Sequence, residues 1–340
     1  MVDQLSPANT CRLCGASLNP DRASVETPDG LCDLCIQNRV GFWPQTDAQA
    51  ASVPYPYYQN VATAQPTLDP DRPWWGVLVS IGMWLFSTAT IIVIPAIAVV
   101  AWIFLDRARG IELPPNVTQD NIPPNLLLVG IYSTLLAHLV TLAFFWAVVT
   151  RFKKEPFLKS LGWNWAGRSG LYWLMVSFGI FVLLIGADFI FPKFLPQRET
   201  DFDRILKVSQ QIRIAIAITA VLTAPFIEEL IYRGVLYSGL RKRMGTVATV
   251  ITVTILFAGV HLPQYWGAWA TMAGLTLLSL ILTIVRAKTK SILPSVLIHF
   301  VNNAIASVFI LLQAGQQSVQ PEGLVCKVIG RAVWMLFVKF

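Results

Sequence analysis

Two adjacent glutamates and an arginine, Glu228, Glu229 and Arg233, stand in the stretch PFIEELIYRG at residues 225–234, directly after the chargeless run IAIAITAVLTA. In a helix, Glu229 and Arg233 lie one turn apart with the acid N-terminal, the favourable order for an ion pair. That pair neutralises itself. Glu228 is rotated about 100° from Glu229 and is left without the arginine. A carboxylate with no charge partner in a low-dielectric pocket suits a general base working near neutral pH. Pro225, one turn earlier, lacks a backbone donor, which predicts a kink beside the carboxylates.

Two further stretches carry polar groups into apolar surroundings. LFAGVHLP, residues 256–263, puts Phe257 and His261 on one helix face, with Pro263 placing His261 near a helix end. LIHFVNNAIA, residues 297–306, puts His299 and Asn303 on one face and aims Asn302 elsewhere. One carboxylate, two imidazoles and one amide, from three separate segments, suffice to surround a single hydrated pocket. Glu228 with His261 can deprotonate a water, and His299 with Asn303 can donate to a developing oxyanion. These are the parts of peptide hydrolysis without a covalent intermediate. Taken singly, the motifs have plainer readings. A Glu–Arg pair can only staple helices, a polar row can line a transport path, and a lone histidine can bond a neighbouring helix. The last is the reading for His138. Transport would be favoured by internal repeats, and the sequence shows none. The zinc-protease signature H-E-x-x-H is absent. Catalysis here requires no cofactor, although glutamate and histidine can ligate a metal and a metal-dependent variant stays open.

The elements that must hold these groups are membrane helices. Hydrophobic residues make up 55% of the 340-residue chain and charged ones only 13%, about half the share usual in soluble domains. Apolar runs occupy residues 74–105, 125–150 and 169–187, then about 213–238, 245–262, 266–285 and 291–313. A hydrocarbon core of about 30 Å takes roughly 20 helical residues to cross. Only helices satisfy every backbone group within such a segment. The expected fold is therefore an all-α polytopic membrane protein with about seven to eight transmembrane helices. The eighth would be the tail VIGRAVWMLFVKF, whose flanking and internal charges Lys327, Arg331 and Lys339 favour partial insertion. The N-terminus has no basic flank followed by an apolar core and so is not a secretory signal. With the N-terminus in the cytoplasm, the loops 151–168, 239–244 and 286–290 carry eleven basic residues against six on the other side. That bias supports a cytoplasmic N-terminus. The net charge of +7 then reflects orientation and lipid contact. No groove-reading motif supports a nucleic-acid partner.

Residues 1–40 form a separate module. Cys11 and Cys14, then Cys32 and Cys35, make two C-x2-C pairs split by 17 residues, the spacing of a four-cysteine zinc ribbon. The segment is too small for an apolar core, so structural zinc would supply most of its folding energy. A reducing cytoplasm disfavours disulfides, and no βαβ pattern surrounds either pair to suggest redox chemistry. All four ligands are cysteines, which leaves a structural or partner-binding role. Residues 41–73 read as a flexible Pro-rich linker, and 74–340 as the transmembrane domain. Cys326 is alone and is given no role.

Together, Glu228-Glu229-x3-Arg233, Phe257-x3-His261 and His299-x3-Asn303 resemble the three motifs of the CPBP family, the CaaX-processing and bacteriocin-processing intramembrane glutamic endopeptidases, also called the Abi family. The resemblance covers about residues 210–313. It implies that Glu228 and His261 activate water, that His299 and Asn303 form the oxyanion hole, and that Glu229, Arg233 and Phe257 hold the site in shape. It also implies a protein or peptide substrate that enters from the lipid bilayer and is cut near its C-terminus or close to the membrane. The ribbon and linker are additions that the family core does not require, and they suggest recruitment of a protein partner. The linker composition points to a bacterial plasma membrane. The alternative from another class is a non-catalytic membrane scaffold or bacteriocin-immunity protein, in which the ribbon recruits partners and the polar cluster only packs helices.

Overall fold

The computed structural model describes residues 69–112, 114 and 122–316, with side chains to 312. The four paired cysteines, most of the linker, Cys326 and the C-terminal tail lie outside the described residues. Among the described residues every regular element is helical. The long helices are α1 (Val77–Ala108), α2 (Pro124–Val149) and α4 (Gly170–Ile190), with the short α3 (Phe157–Ser160) between the last two. Next come α5 (Asp201–Val208), α6 (Gln210–Leu222), α7 (Ala224–Glu229), a π-helical stretch (Leu230–Leu236) and α8 (Tyr237–Arg241). The chain closes with α9 (Thr246–His261), α10 (Trp269–Thr289) and α11 (Leu293–Gln316).

Local chemistry sets several of the ends. Ser169 and Ser209 accept the backbone N–H groups of Tyr172 and Ile212 at the starts of α4 and α6. Thr200 and Asp203 form a capping box on α5, and Pro124 occupies the first turn of α2, where its missing donor costs nothing. Lys290, with φ +54°, closes α10 in the left-handed conformation.

The distribution of polarity identifies the solvent. Leu78, Phe104, Met175 and Val182 are each more than 60% exposed, whereas Ser80, Thr141, Ser279 and Thr283 are fully buried. In water that arrangement would be inverted. In a bilayer, lipid matches the apolar exterior, and buried hydroxyls bond helix to helix. Thr90 and Thr141, for instance, join α1 to α2 at 2.9 Å. The chain is an integral membrane protein.

Among the described residues six helices are long and apolar enough to cross a membrane: Val77–Ala108, Pro124–Val149, Gly170–Lys193, Gln210–Arg241, Trp269–Thr289 and Leu293–Leu312. The seventh expected span, 245–262, falls short. Its helix α9 has 16 residues, about 24 Å at 1.5 Å each. The chain breaks off there into a turn containing Pro263 and Gly267, the latter at φ +85°. The turn that follows carries the chain on to the opposite end, where Tyr265 meets Phe202. The kink expected at Pro225 is present: the fourth span is interrupted at Thr223 and again by the π-helical stretch.

The loops that share one side in the topology meet in space. Trp74 donates to the Val149 carbonyl, Lys242 to that of Pro73, and the Ser291 hydroxyl to that of Asn164. Lys290 lies 3.6 Å from Asp69. The opposite end is tied by Gln197 to Thr271 and by Phe202 against Tyr265. One assignment needs correction. Arg286, counted above as a loop charge, is part of α10 and is completely buried.

Candidate active site

The π-helical stretch brings Arg233 against α10. Its guanidinium donates from Nε to Thr283 Oγ1 (3.3 Å), from Nη1 to Glu229 Oε1 (2.9 Å), and from Nη2 to both the carbonyl and hydroxyl of Ser279 (3.0 and 2.9 Å). It also stands 4.8 Å above the Phe257 ring, a favourable place for a cation. Arg233 and Glu229 are both fully buried. A buried charge is tolerable only when paired and hydrogen-bonded, and both conditions hold here. The pairing read from the i, i+4 spacing is therefore present.

A further partner joins it. His299 Nδ1 lies 2.9 Å from the same Glu229 Oε1. A carboxylate oxygen only accepts, so Nδ1 carries the proton. The other ring nitrogen, Nε2, stands 3.9 Å from Glu228 Oε2. His299 thus sits between two carboxylates, and a protonated ring has an acceptor on either side. Glu228 is the more open of the two acids, with 22% of its side chain exposed.

His261 Nδ1 lies 2.8 Å from the Phe257 carbonyl. That oxygen also only accepts, so Nδ1–H donates and Nε2 of the neutral ring keeps its lone pair. The imidazole is stacked on Phe257 at 4.7 Å between ring centroids. Phe257 is the hub of the cluster: Tyr232 meets it at 4.9 Å and His299 at 6.4 Å. Asn303, one turn beyond His299, donates through Nδ2 to the Ala220 carbonyl on α6 at 2.9 Å. One amide hydrogen remains uncommitted.

The structure therefore gathers Glu228, Glu229, Arg233, Phe257, His261 and His299 into one cluster, with Asn303 at its edge. Glu228 and His261 are not hydrogen-bonded to each other. His138 makes a 2.8 Å hydrogen bond to Thr223, the interhelical role expected of it. The sequence reading missed the row Ser279, Thr283 and Arg286 on α10. Its signal was visible: two hydroxyls and a cation spaced four and three apart on one helical face of an apolar run. Among the described residues no group of three His, Cys, Asp or Glu side chains could hold a metal ion.

Residues 210–305 match the family model described as Rce1-like, type II CAAX prenyl endopeptidase Rce1-like. The match contains all three motifs and agrees with the resemblance drawn from them. The chain is also 28% identical over 141 residues to the UPF0177 protein YvdC of Lactococcus lactis subsp. lactis (strain IL1403), covering 41% of this chain and 52% of that protein. It thus spans about half the length of the curated relative it matches. No solved structure matches.

Proposed function

We propose, from the Rce1-like match over 210–305 and the convergence of its motif residues, that this chain is an intramembrane endopeptidase of the glutamic type. Its substrate is a protein or peptide reached from the bilayer and cut near its C-terminus or close to the membrane. The observation that carries the reading is the pairing of an accessible acid with a fixed imidazole, Glu228 and His299 at 3.9 Å, inside an apolar bundle.

The reaction assigns each group one task. Glu228, with the bare Nε2 of His261, takes a proton from water while its oxygen bonds to the scissile carbonyl carbon. The carbonyl π bond opens, and the oxyanion receives hydrogen bonds from His299 Nε2–H and the uncommitted amide hydrogen of Asn303. The C–N bond then breaks as the captured proton passes to the leaving nitrogen, giving a carboxylic acid and an amine. Glu229 and Arg233 stay paired throughout and hold the His299 ring by its Nδ1–H.

The N-terminus is assigned to the cytoplasm, because the basic excess of the loops gathered at that end survives the withdrawal of Arg286. Comparison of membrane-protein termini in cells carrying the parent or Glu228→Ala tests the activity. New termini should appear with the parent and vanish with the variant; identical sets would end the endopeptidase reading. In a purified assay, Glu228→Gln should lower kcat by about 10²–10⁴, and Asn303→Ala by about 10²–10³ with KM little changed.

A further inference from the structure

Arg286 is fully buried near the end of α10. Its Nε donates to the backbone carbonyl of Arg233 at 3.0 Å, and its Nη2 donates to Ser238 Oγ at 3.0 Å and to the Pro70 carbonyl at 3.3 Å. Its Nη1 faces Asp71 Oδ1 at 2.8 Å, and the guanidinium covers the Tyr237 ring at 4.8 Å. Asp71 is 14% exposed, so the pair lies at the rim of the buried region.

Both ends of this contact bear on the π-helical stretch. Widening a helix from i→i+4 to i→i+5 leaves backbone carbonyls short of partners, and buried carbonyls require them. Arg286 supplies the partner of the Arg233 carbonyl. Trp75, in the same non-helical strap as Asp71, supplies that of Val235 through Nε1 at 3.2 Å. Lys242 holds the strap in turn by donating to the carbonyls of Pro73 and Trp75. The side chain of Arg233 meanwhile grips Glu229, which grips His299.

We propose that Asp71 and Arg286 form a latch that positions the Arg233–Glu229–His299 row for catalysis; this rests on the endopeptidase reading. Neither residue touches substrate. The latch fixes the backbone of Arg233, and the guanidinium of Arg233 then fixes the carboxylate that sets the His299 ring. A buried ion pair is a poor way to gain stability alone, since well-packed apolar groups do as well. What this one adds is a defined backbone position beneath a reacting imidazole. The strap that enters the membrane domain thereby becomes part of the catalytic apparatus.

The test uses the full chain in lipid nanodiscs with isotope-labelled histidine. The chain has three histidines, so each signal is assignable. Asp71→Asn should shift the hydrogen-bonded Nδ1–H resonance of His299 and leave those of His138 and His261 in place, and Asp71→Glu should restore it. Arg286→Gln should produce a larger shift. With a farnesylated CAAX peptide as probe, Arg286→Gln should lower kcat on the order of 10²-fold, the size of effect that a displacement of about 1 Å produces. KM should change little, and Asp71→Asn should cause a smaller loss of kcat. An unchanged His299 signal in both variants overturns the proposal. So does a common shift of all three histidines, which would mean that the pair holds the fold and not the site. If the parent produces no termini that Glu228→Ala lacks, the endopeptidase reading fails, while the histidine signals still report separately on whether the latch exists.

Discussion

Replacing Arg233 with methionine removes one member of a fully buried ion pair and leaves the other behind. Neither side chain has exposed surface, so solvent screening gives no discount. Glu229 Oε1 loses its 2.9 Å partner, and the two contacts to Ser279 and the one to Thr283 go as well. Breaking a buried pair by deleting one partner costs about 3–5 kcal/mol. His299 remains 2.9 Å from the same oxygen and offsets part of the loss, which places the expected cost near the lower end, about 3 kcal/mol. Glu229→Gln removes the stranded charge. The combination of Arg233→Met with Glu229→Gln should therefore be less damaging than the two single costs added, with a coupling energy of about 2 kcal/mol. Reversible unfolding in mixed micelles, followed by circular dichroism for the parent, both single variants and the double, measures that term. Strict additivity within about 0.5 kcal/mol would refute the claim that the two charges hold each other.

Three further outcomes are expected. A Cβ on Gly239 would run into the hydroxyl of Ser80 and lie 3.1 Å from the Gly76 carbonyl, so Gly239→Ala should destabilise by about 1–3 kcal/mol. Thermal unfolding measures this, and adding Ser80→Gly should recover part of the loss. Burial pushes the Asp203 carboxyl above its usual range, against the opposing bonds from Thr200. An acid raised in the folded state keeps its proton there after the unfolded chain has lost it. Its stabilising contribution is therefore full below the unfolded value, near 3.9, and declines as pH rises towards the folded one. Asp203→Asn should remove that decline, so the variant should gain on the parent between acid and neutral pH in unfolding experiments; a gain in the reverse direction would contradict the burial argument. Finally, Cys11, Cys14, Cys32 and Cys35 are expected to bind one zinc ion, with Cys11→Ser abolishing it. Metal content of the purified full chain, by elemental mass spectrometry, decides this. Activity of a chain beginning near residue 70, assayed with and without chelator, separates that zinc from any catalytic metal.

The relation between the two arginines explains why a lipid-embedded bundle tolerates them. Charges at membrane depth are rare and face the interior or a partner. Arg233 reaches from the π-helical stretch to α10, and Arg286 reaches from α10 back to the carbonyl of Arg233. Each arginine thus finds acceptors on the element that carries the other. Ser279 and Thr283 complete the clasp from positions that a hydropathy profile registers only as small interruptions.

Much of this protein was determined by local sequence. Long apolar runs must be helices in lipid, because no other element satisfies its own backbone there. The i, i+4 relations between Glu229 and Arg233 and between Phe257 and His261 follow from helical periodicity and are present as hydrogen bonds. Pro225 marked the interruption of the fourth span, and Pro263 the early end of α9. What periodicity cannot supply is rotation: it says which side chains share a face and is silent on what that face meets. Tertiary packing decided that His299 bonds Glu229, 70 positions away, while its other nitrogen turns to Glu228. Packing also decided that Asn303 leans on Ala220, that Phe257 stands at the centre of the cluster, and that Arg286 lies in the core and not in a loop. Each of these depends on how neighbouring helices settle against one another, a sum over many weak contacts that no short stretch of sequence encodes.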